Sequence, residues 1–197
     1  MAELYKGRRI LLGSASPRRR QLLEMMEIPF ETVSIDVEEK VNPTLQAEDV
    51  PVSLALLKAG AYMKPLAHNE VLITADTVVI HNGEILGKPH NESDAIEMLR
   101  NLSGDVHHVV SGVAITCGDG SVTTFSESTD VEFLHLTDSQ IRHYVSHYRP
   151  MDKAGAYGIQ EWIGAVGVKS INGCFYNVMG LPSSALFSRL NHILDRV

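Results

Sequence analysis

Cysteine is scarce: Cys117 and Cys174 are the only two in 197 residues. They are far apart and form no C-x-x-C pair, which removes a zinc knuckle and a dithiol redox motif. Two reduced, mostly buried thiols are expected. Basic charge is also short, with 17 Lys+Arg against 24 Asp+Glu and a net charge of −7. A protein that coats nucleic acid needs many phosphate-neutralising cations, so that class is disfavoured. No apolar run approaches the ~20 residues that cross a bilayer, and the first residues carry no signal-peptide pattern. A soluble, cytoplasmic protein is expected, with no membrane partner. There is no G-x-x-x-x-G-K-[ST], no G-x-G-x-x-G and no G-x-S-x-G, so P-loop, Rossmann and α/β-hydrolase readings lose their main support. Repeats, low-complexity tracts and long Gly/Ser linkers are absent as well. The length suits one domain over 1–197, read as two lobes sharing a central sheet.

What is present reads as a mixed α/β or α+β domain, because strands and helices mix without strict alternation. Ile10-Leu11-Leu12 reads as a strand running into Gly13-Ser14-Ala15. Ser16-Pro17 then opens a helix, with Ser as cap and Pro at the first position. Phe30 to Ile35 reads as a second strand. Val52 to Tyr62 reads as a helix with Leu54, Leu57 and Ala61 on one face. Val71 to Ile80 is apolar on both faces, as in a central strand, and Asn82-Gly83 after it is a hairpin signal. A helix over Asp94 to Leu102, strands within Val109 to Leu136 and a helix over Asp138 to Tyr148 follow. Val166 to Met179 reads as a hairpin around Asn172-Gly173, and Ser184 to Leu194 as a final helix.

Several residues stand out chemically. Arg18-Arg19-Arg20 lie in the first turn of a helix, where cations oppose the helix dipole. An anion held among them and the free helix N–H groups would explain their position; a solvated basic turn would also. Glu24 follows Arg20 at i+4 and suggests a surface pair, while Arg19 leads the stripe of Leu22, Leu23 and Met26. Asp76 lies inside a buried strand, and a carboxylate there needs a partner, hydrogen bonds or a metal. Near a metal-bound polyphosphate it could hold the ion or activate a water. Lys58 sits on the apolar side of its helix and either snorkels to water or meets a buried anion. Lys88, in Gly-Lys-Pro, is a loop lysine. Glu38-Glu39 is an acidic pair after a strand, a wet surface or a source of oxygen ligands for Mg²⁺ or Mn²⁺. His143 and His147 at i, i+4 lack a third metal ligand and read as a solvated face. His107 and His108 point to opposite faces of a strand.

In chain order, Ser14-Ala15-Ser16-Pro17-Arg18-Arg19, Val37-Glu38-Glu39, Lys58-Ala59, Ala75-Asp76-Thr77, Gly87-Lys88-Pro89, Lys153-Ala154-Gly155-Ala156-Tyr157-Gly158-Ile159-Gln160 and Val178-Met179-Gly180-Leu181-Pro182 together resemble the Maf family of nucleoside triphosphate pyrophosphatases. The resemblance covers nearly the whole chain. It implies an elongated, ITPase-like mixed sheet flanked by helices, with a cleft between two lobes, and a cytoplasmic homodimer. It implies hydrolysis of a nucleoside triphosphate to the monophosphate and pyrophosphate with Mg²⁺ or Mn²⁺. The family's catalytic carboxylate falls on Asp76, and its substrate-choice residues on Arg18, Thr77 and Gln160. Its other cleft residues match Ser14, Arg19, Glu38, Lys58 and Lys88, with Glu39 an alternative to Glu38 according to loop length. Metal ligation falls on Glu38 and Asp76. The intact K-A-G-A-Y-G-I-Q stretch resembles the branch acting on dTTP and UTP, and an amide such as Gln160 can both donate to and accept from a uracil or thymine edge. A 7-methyl-GTP or broad modified-nucleotide pyrophosphatase, and a nucleotide-binding regulator of septum formation, are the alternative readings. Glu161-Trp162 departs from the small, Gly-rich residues expected after Gln160.

Overall fold

A computed structural model of the chain describes Tyr5 and residues 7–195. Seven strands form one mixed sheet: β1 (Arg9–Leu12), β2 (Phe30–Thr32), β3 (Glu70–His81), β4 (Glu84–Leu86), β5 (Val106–Cys117), β6 (Val122–Phe133) and β7 (Val168–Asn172). Their hydrogen-bonded order is β2-β1-β3-β5-β6-β7, with β4 on β3. Helices α1 (Pro17–Met25), α2 (Val50–Gly60), α3 (Glu92–Leu102), α4 (Asp138–Tyr148), α5 (Trp162–Gly167), α6 (Phe175–Met179) and α7 (Ser183–Leu194) flank it. The mixed α/β architecture agrees with the sequence pattern. The chain divides into two compact units. The first takes residues up to Asp76, Ser111–Glu127 and residues from Gly180 onward; the second takes Thr77–Val110 and Ser128–Met179.

In the first unit β1 pairs in parallel with both β2 and β3 (Ile10↔Phe30, Ile10↔Val71). Parallel neighbours need crossovers, and α1 and α2 supply them. Ile10, Leu11, Leu12, Leu72 and Ile73 are buried in the sheet, with Leu22, Leu23, Leu54, Leu186 and Leu190 packed in the same unit. Helix α1 begins where expected, Ser16 Oγ accepting the Arg19 N–H with Pro at the helix start. Strand β2 is shorter than expected and ends at Thr32, although Val33 N–H still donates to Leu12 O at 3.0 Å. The buried side of α2 is Val50, Pro51, Leu54 and Ala55, whereas Leu57 is exposed. That shift has a consequence, because Lys58 lies four residues after Leu54 and three after Ala55, on the inward side.

In the second unit β3 turns back through Asn82 (φ 52°) and Gly83 (φ 80°) into antiparallel β4, the hairpin that Asn-Gly announces. Strand β7 pairs antiparallel with β6 (Val131↔Ile171). The hairpin expected around Asn172-Gly173 does not form. Gly173 takes φ 135°, Cys174 N–H donates to Thr129 Oγ1 at 3.0 Å, and Asn177 Nδ2 donates to Val109 O at 2.9 Å. Those tertiary bonds capture residues 174–179 as α6 in place of a second strand. His107 is buried and His108 exposed on β5, as their alternation requires. Both cysteines are free but half-buried, not fully buried.

Candidate active site

The site in the first unit is built from the C-terminal end of β1, the start of α1, α2 and the middle of β3. At Gly13 a Cβ would lie 2.4 Å from Ile35 Cδ1 and 2.9 Å from Thr74 Cγ2, so a larger residue would displace those side chains. Ser14 Oγ accepts the Ser16 N–H at 3.2 Å and an N–H from Arg19 Nη1 at 3.3 Å. Arg19 is 9% exposed. It donates through Nε to Gly180 O and through Nη1 to Ala75 O, each at 2.8 Å. One guanidinium therefore ties α1, the segment before α7 and the residue preceding Asp76. Burial pulls Arg19 below its ordinary pKa, the charge of Asp76 works the other way, and Arg18 adds to the lowering.

Asp76 and Lys58 are the ionic centre. Lys58 Nζ lies 2.5 Å from Asp76 Oδ1 and 2.9 Å from Glu39 Oε1. The Asp76 and Lys58 side chains are each only 13% exposed. The buried-strand carboxylate thus has its partner, and Lys58 carries its ammonium inward instead of snorkelling. Thr74, two residues earlier, donates its hydroxyl to Ala55 O at 2.7 Å, which pins β3 to α2 beside this pair. Glu39, not Glu38, enters the group; Glu38 is exposed and pairs with Lys40 at 2.9 Å. Arg18 is half-buried and close enough to bear on the charge of Arg19. Arg20 is exposed, and no pair with Glu24 forms among the described residues.

The second unit carries the other named residues. Thr77 follows Asp76 on β3 and is half-buried, while Lys88 and Gln160 are exposed. Sequence reasoning missed the carbonyls of Ala75 and Gly180 as arginine acceptors, since backbone acceptors leave no residue signal. It also missed Tyr144 and Lys153, which meet Glu161 beside Gln160.

Among the described residues no three His, Cys, Asp or Glu side chains gather as a metal-holding group. Two carboxylates sharing one ammonium nevertheless fit a hard cation. Mg²⁺ is commonly held by one or two carboxylates together with substrate phosphates. Asp76 and Glu39 are the residues that would hold it. A buried arginine, a lysine and two carboxylates beside a helix start make a site of the class that handles phosphorylated substrates.

The chain belongs to the Maf family: the model described as Maf-like protein matches residues 9–193. The dTTP/UTP pyrophosphatase of Bacteroides fragilis is 47% identical over 186 residues, covering 94% of this chain and 96% of that one. The protein of the same description from Phocaeicola vulgatus is 45% identical over 194 residues, covering 98% and 100%. That from Porphyromonas gingivalis is 47% identical over 193 residues, covering 96% of each. No helix among the described residues is long and apolar enough to cross a membrane.

Proposed function

We propose that this protein is a nucleoside triphosphate pyrophosphatase that hydrolyses dTTP and UTP to the monophosphate and pyrophosphate. The observation that carries the reading is the Lys58–Asp76 pair, flanked by Glu39 and braced by Arg19, in a chain whose full-length relatives are described by that activity. Water attacks the α-phosphorus, the bond from that phosphorus to the bridging oxygen breaks, and pyrophosphate leaves. Asp76 orients the water and takes its proton. Lys58 holds the Asp76 carboxylate in one orientation and offsets charge on the phosphates. Arg19 fixes the backbone at Ala75 and with it the aim of Asp76. A divalent cation, Mg²⁺ or Mn²⁺ held by Asp76 and Glu39, would neutralise phosphate charge; Glu38 is the second candidate for that ligand. Ser14, Arg18 and Lys88 are assigned to substrate phosphates, and Arg18, Thr77 and Gln160 to substrate choice. The fit of an amide to a uracil or thymine edge supports Gln160 in that role.

The reading further assigns a cytoplasmic location, consistent with two free thiols, and a homodimer, which sedimentation of the purified protein tests. The central experiment is Asp76→Asn assayed with UTP and a divalent metal. Pyrophosphate release falls by about 10²-fold or more if Asp76 is the base; wild-type turnover would refute the assignment.

A further inference from the structure

Gln160 lies in a segment of unusual backbone. Gly155 and Ala156 both take positive φ, 66° and 58°, and for alanine that conformation is costly unless the surroundings enforce it. The Gln160 side chain is exposed and makes no hydrogen bond among the described residues. Nothing in its own contacts therefore fixes where it points. The residues around it are anchored differently. Tyr144 is fully buried on the inner side of α4. Its hydroxyl donates to Glu161 Oε2 and accepts the Gly158 N–H at 3.0 Å. Glu161 Oε1 lies 3.1 Å from Lys153 Nζ, which also meets Asp152 Oδ1 at 2.7 Å. Glu161 N–H closes a turn onto Gly158 O at 3.0 Å.

We infer that Tyr144 and Glu161, with Lys153, are positioning residues for base selection: they clamp both sides of Gln160 and aim its amide. The inference rests on the pyrophosphatase reading and adds to it two residues outside the K-A-G-A-Y-G-I-Q stretch. The clamp is anchored at the start of the segment by Lys153, in its middle by the Gly158 N–H, and at its end by Glu161. One phenol serves two of those points. Burial and the charge of Glu161 push the Tyr144 hydroxyl far above its ordinary pKa, so it remains a donor throughout the working pH range. An ordinary hydrophobic contact could not replace it, because both its partners are polar and the Gly158 N–H is buried. Glu161 gives one carboxylate oxygen to the phenol and the other to the lysine. A glycine there would offer no acceptor to the phenol and none to the lysine.

The test uses Tyr144→Phe, Glu161→Ala and the conservative Glu161→Gln, whose amide oxygen still accepts from the phenol. Steady-state kinetics with UTP and CTP, and inhibition by inorganic tripolyphosphate, separate aim at the base from grip on phosphate. Tyr144→Phe and Glu161→Ala raise KM for UTP about tenfold, lower kcat less than threefold, erase most of the UTP-over-CTP preference, and leave tripolyphosphate inhibition unchanged. Glu161→Gln returns KM to within threefold of wild type. Equal losses with UTP, CTP and tripolyphosphate, or an unchanged UTP KM in both disruptive variants, overturn the inference. Trp162, the sole tryptophan, adjoins Glu161 and reports the segment without turnover. Its emission shifts to the red and its quenching by iodide rises in Tyr144→Phe and Glu161→Ala. Identical Trp162 emission and quenching in wild type and both variants overturns the clamp even in a protein that cleaves no UTP, which separates its failure from failure of the pyrophosphatase reading.

Discussion

Arg19 shows how one side chain can set the aim of another. Its Nε and Nη1 donors go to Gly180 O, Ala75 O and Ser14 Oγ, so the residue before Asp76 is held by a rigid, planar fork that lysine cannot copy. Arg19→Ala leaves two enclosed carbonyls without this donor and is expected to destabilise by about 2–4 kcal/mol. Arg19→Lys recovers the charge but not the fork, and lowers activity with UTP more than it lowers stability. Denaturant unfolding and turnover measured on the same preparations check both effects. His107 makes a second residue-scale prediction. It is fully buried against Phe133 and Tyr157, with Nε2 2.7 Å from the Tyr157 hydroxyl and Nδ1 without a hydrogen-bond partner among the described residues. Burial lowers its pKa from 6.5 to about 3. The unfolded chain therefore binds a proton below pH 6.5 that the folded chain refuses until about pH 3. Stability is unaffected above that window and is lost within it as pH falls, by a few kcal/mol at most. Unfolding curves from pH 7 to pH 4 show the loss in wild type, and His107→Phe reduces it.

At the scale of elements, local signals located most of the helices and strands. Ser16-Pro17 at α1, Asn82-Gly83 before β4 and the double-sided apolar run of β3 are each dictated by short-range chemistry. The failures have physical causes. The hairpin expected over 166–179 yields β7 alone, because Thr129 and Asn177 hold the residues after Gly173 by long-range hydrogen bonds. The buried side of α2 lies one step away from the face that Leu54 and Leu57 suggest, because tertiary packing passes Leu57 by. The correct phase explains why Lys58 faces Asp76, which the sequence left open between two outcomes. Helix α4 carries Tyr144, and its start is closed by a reciprocal capping box, Thr137 Oγ1 accepting Gln140 N–H at 3.3 Å and Gln140 Oε1 accepting Thr137 N–H at 2.8 Å. Thr137→Ala is expected to cost about 1 kcal/mol. Urea unfolding measures it, and an unchanged midpoint would mean that α4 is set by packing alone.

For the molecule as a whole, acidity and chemistry have to be kept apart. A net charge of −7 describes solubility and argues against a polyanion partner, yet Arg18, Arg19 and Lys58 make a local cationic group in the first unit. Asp76 and Arg19 are legible in the sequence because each breaks a local rule, a carboxylate within an apolar strand and an arginine heading a leucine stripe, whereas Lys58 stands out as a lysine on the apolar side of its helix with its partner left open. The choice of Glu39 over Glu38 is not legible, since it depends on the path of a loop. The Tyr144–Glu161–Lys153 contact is not either, since it joins residues up to 17 apart through no recognisable spacing. The most direct test is to incubate the purified protein with UTP and a divalent metal and identify the products. The account predicts UMP and pyrophosphate in equal amounts, abolished by chelator and by Asp76→Asn. UDP with inorganic phosphate, or no turnover of dTTP or UTP with either Mg²⁺ or Mn²⁺, would contradict it.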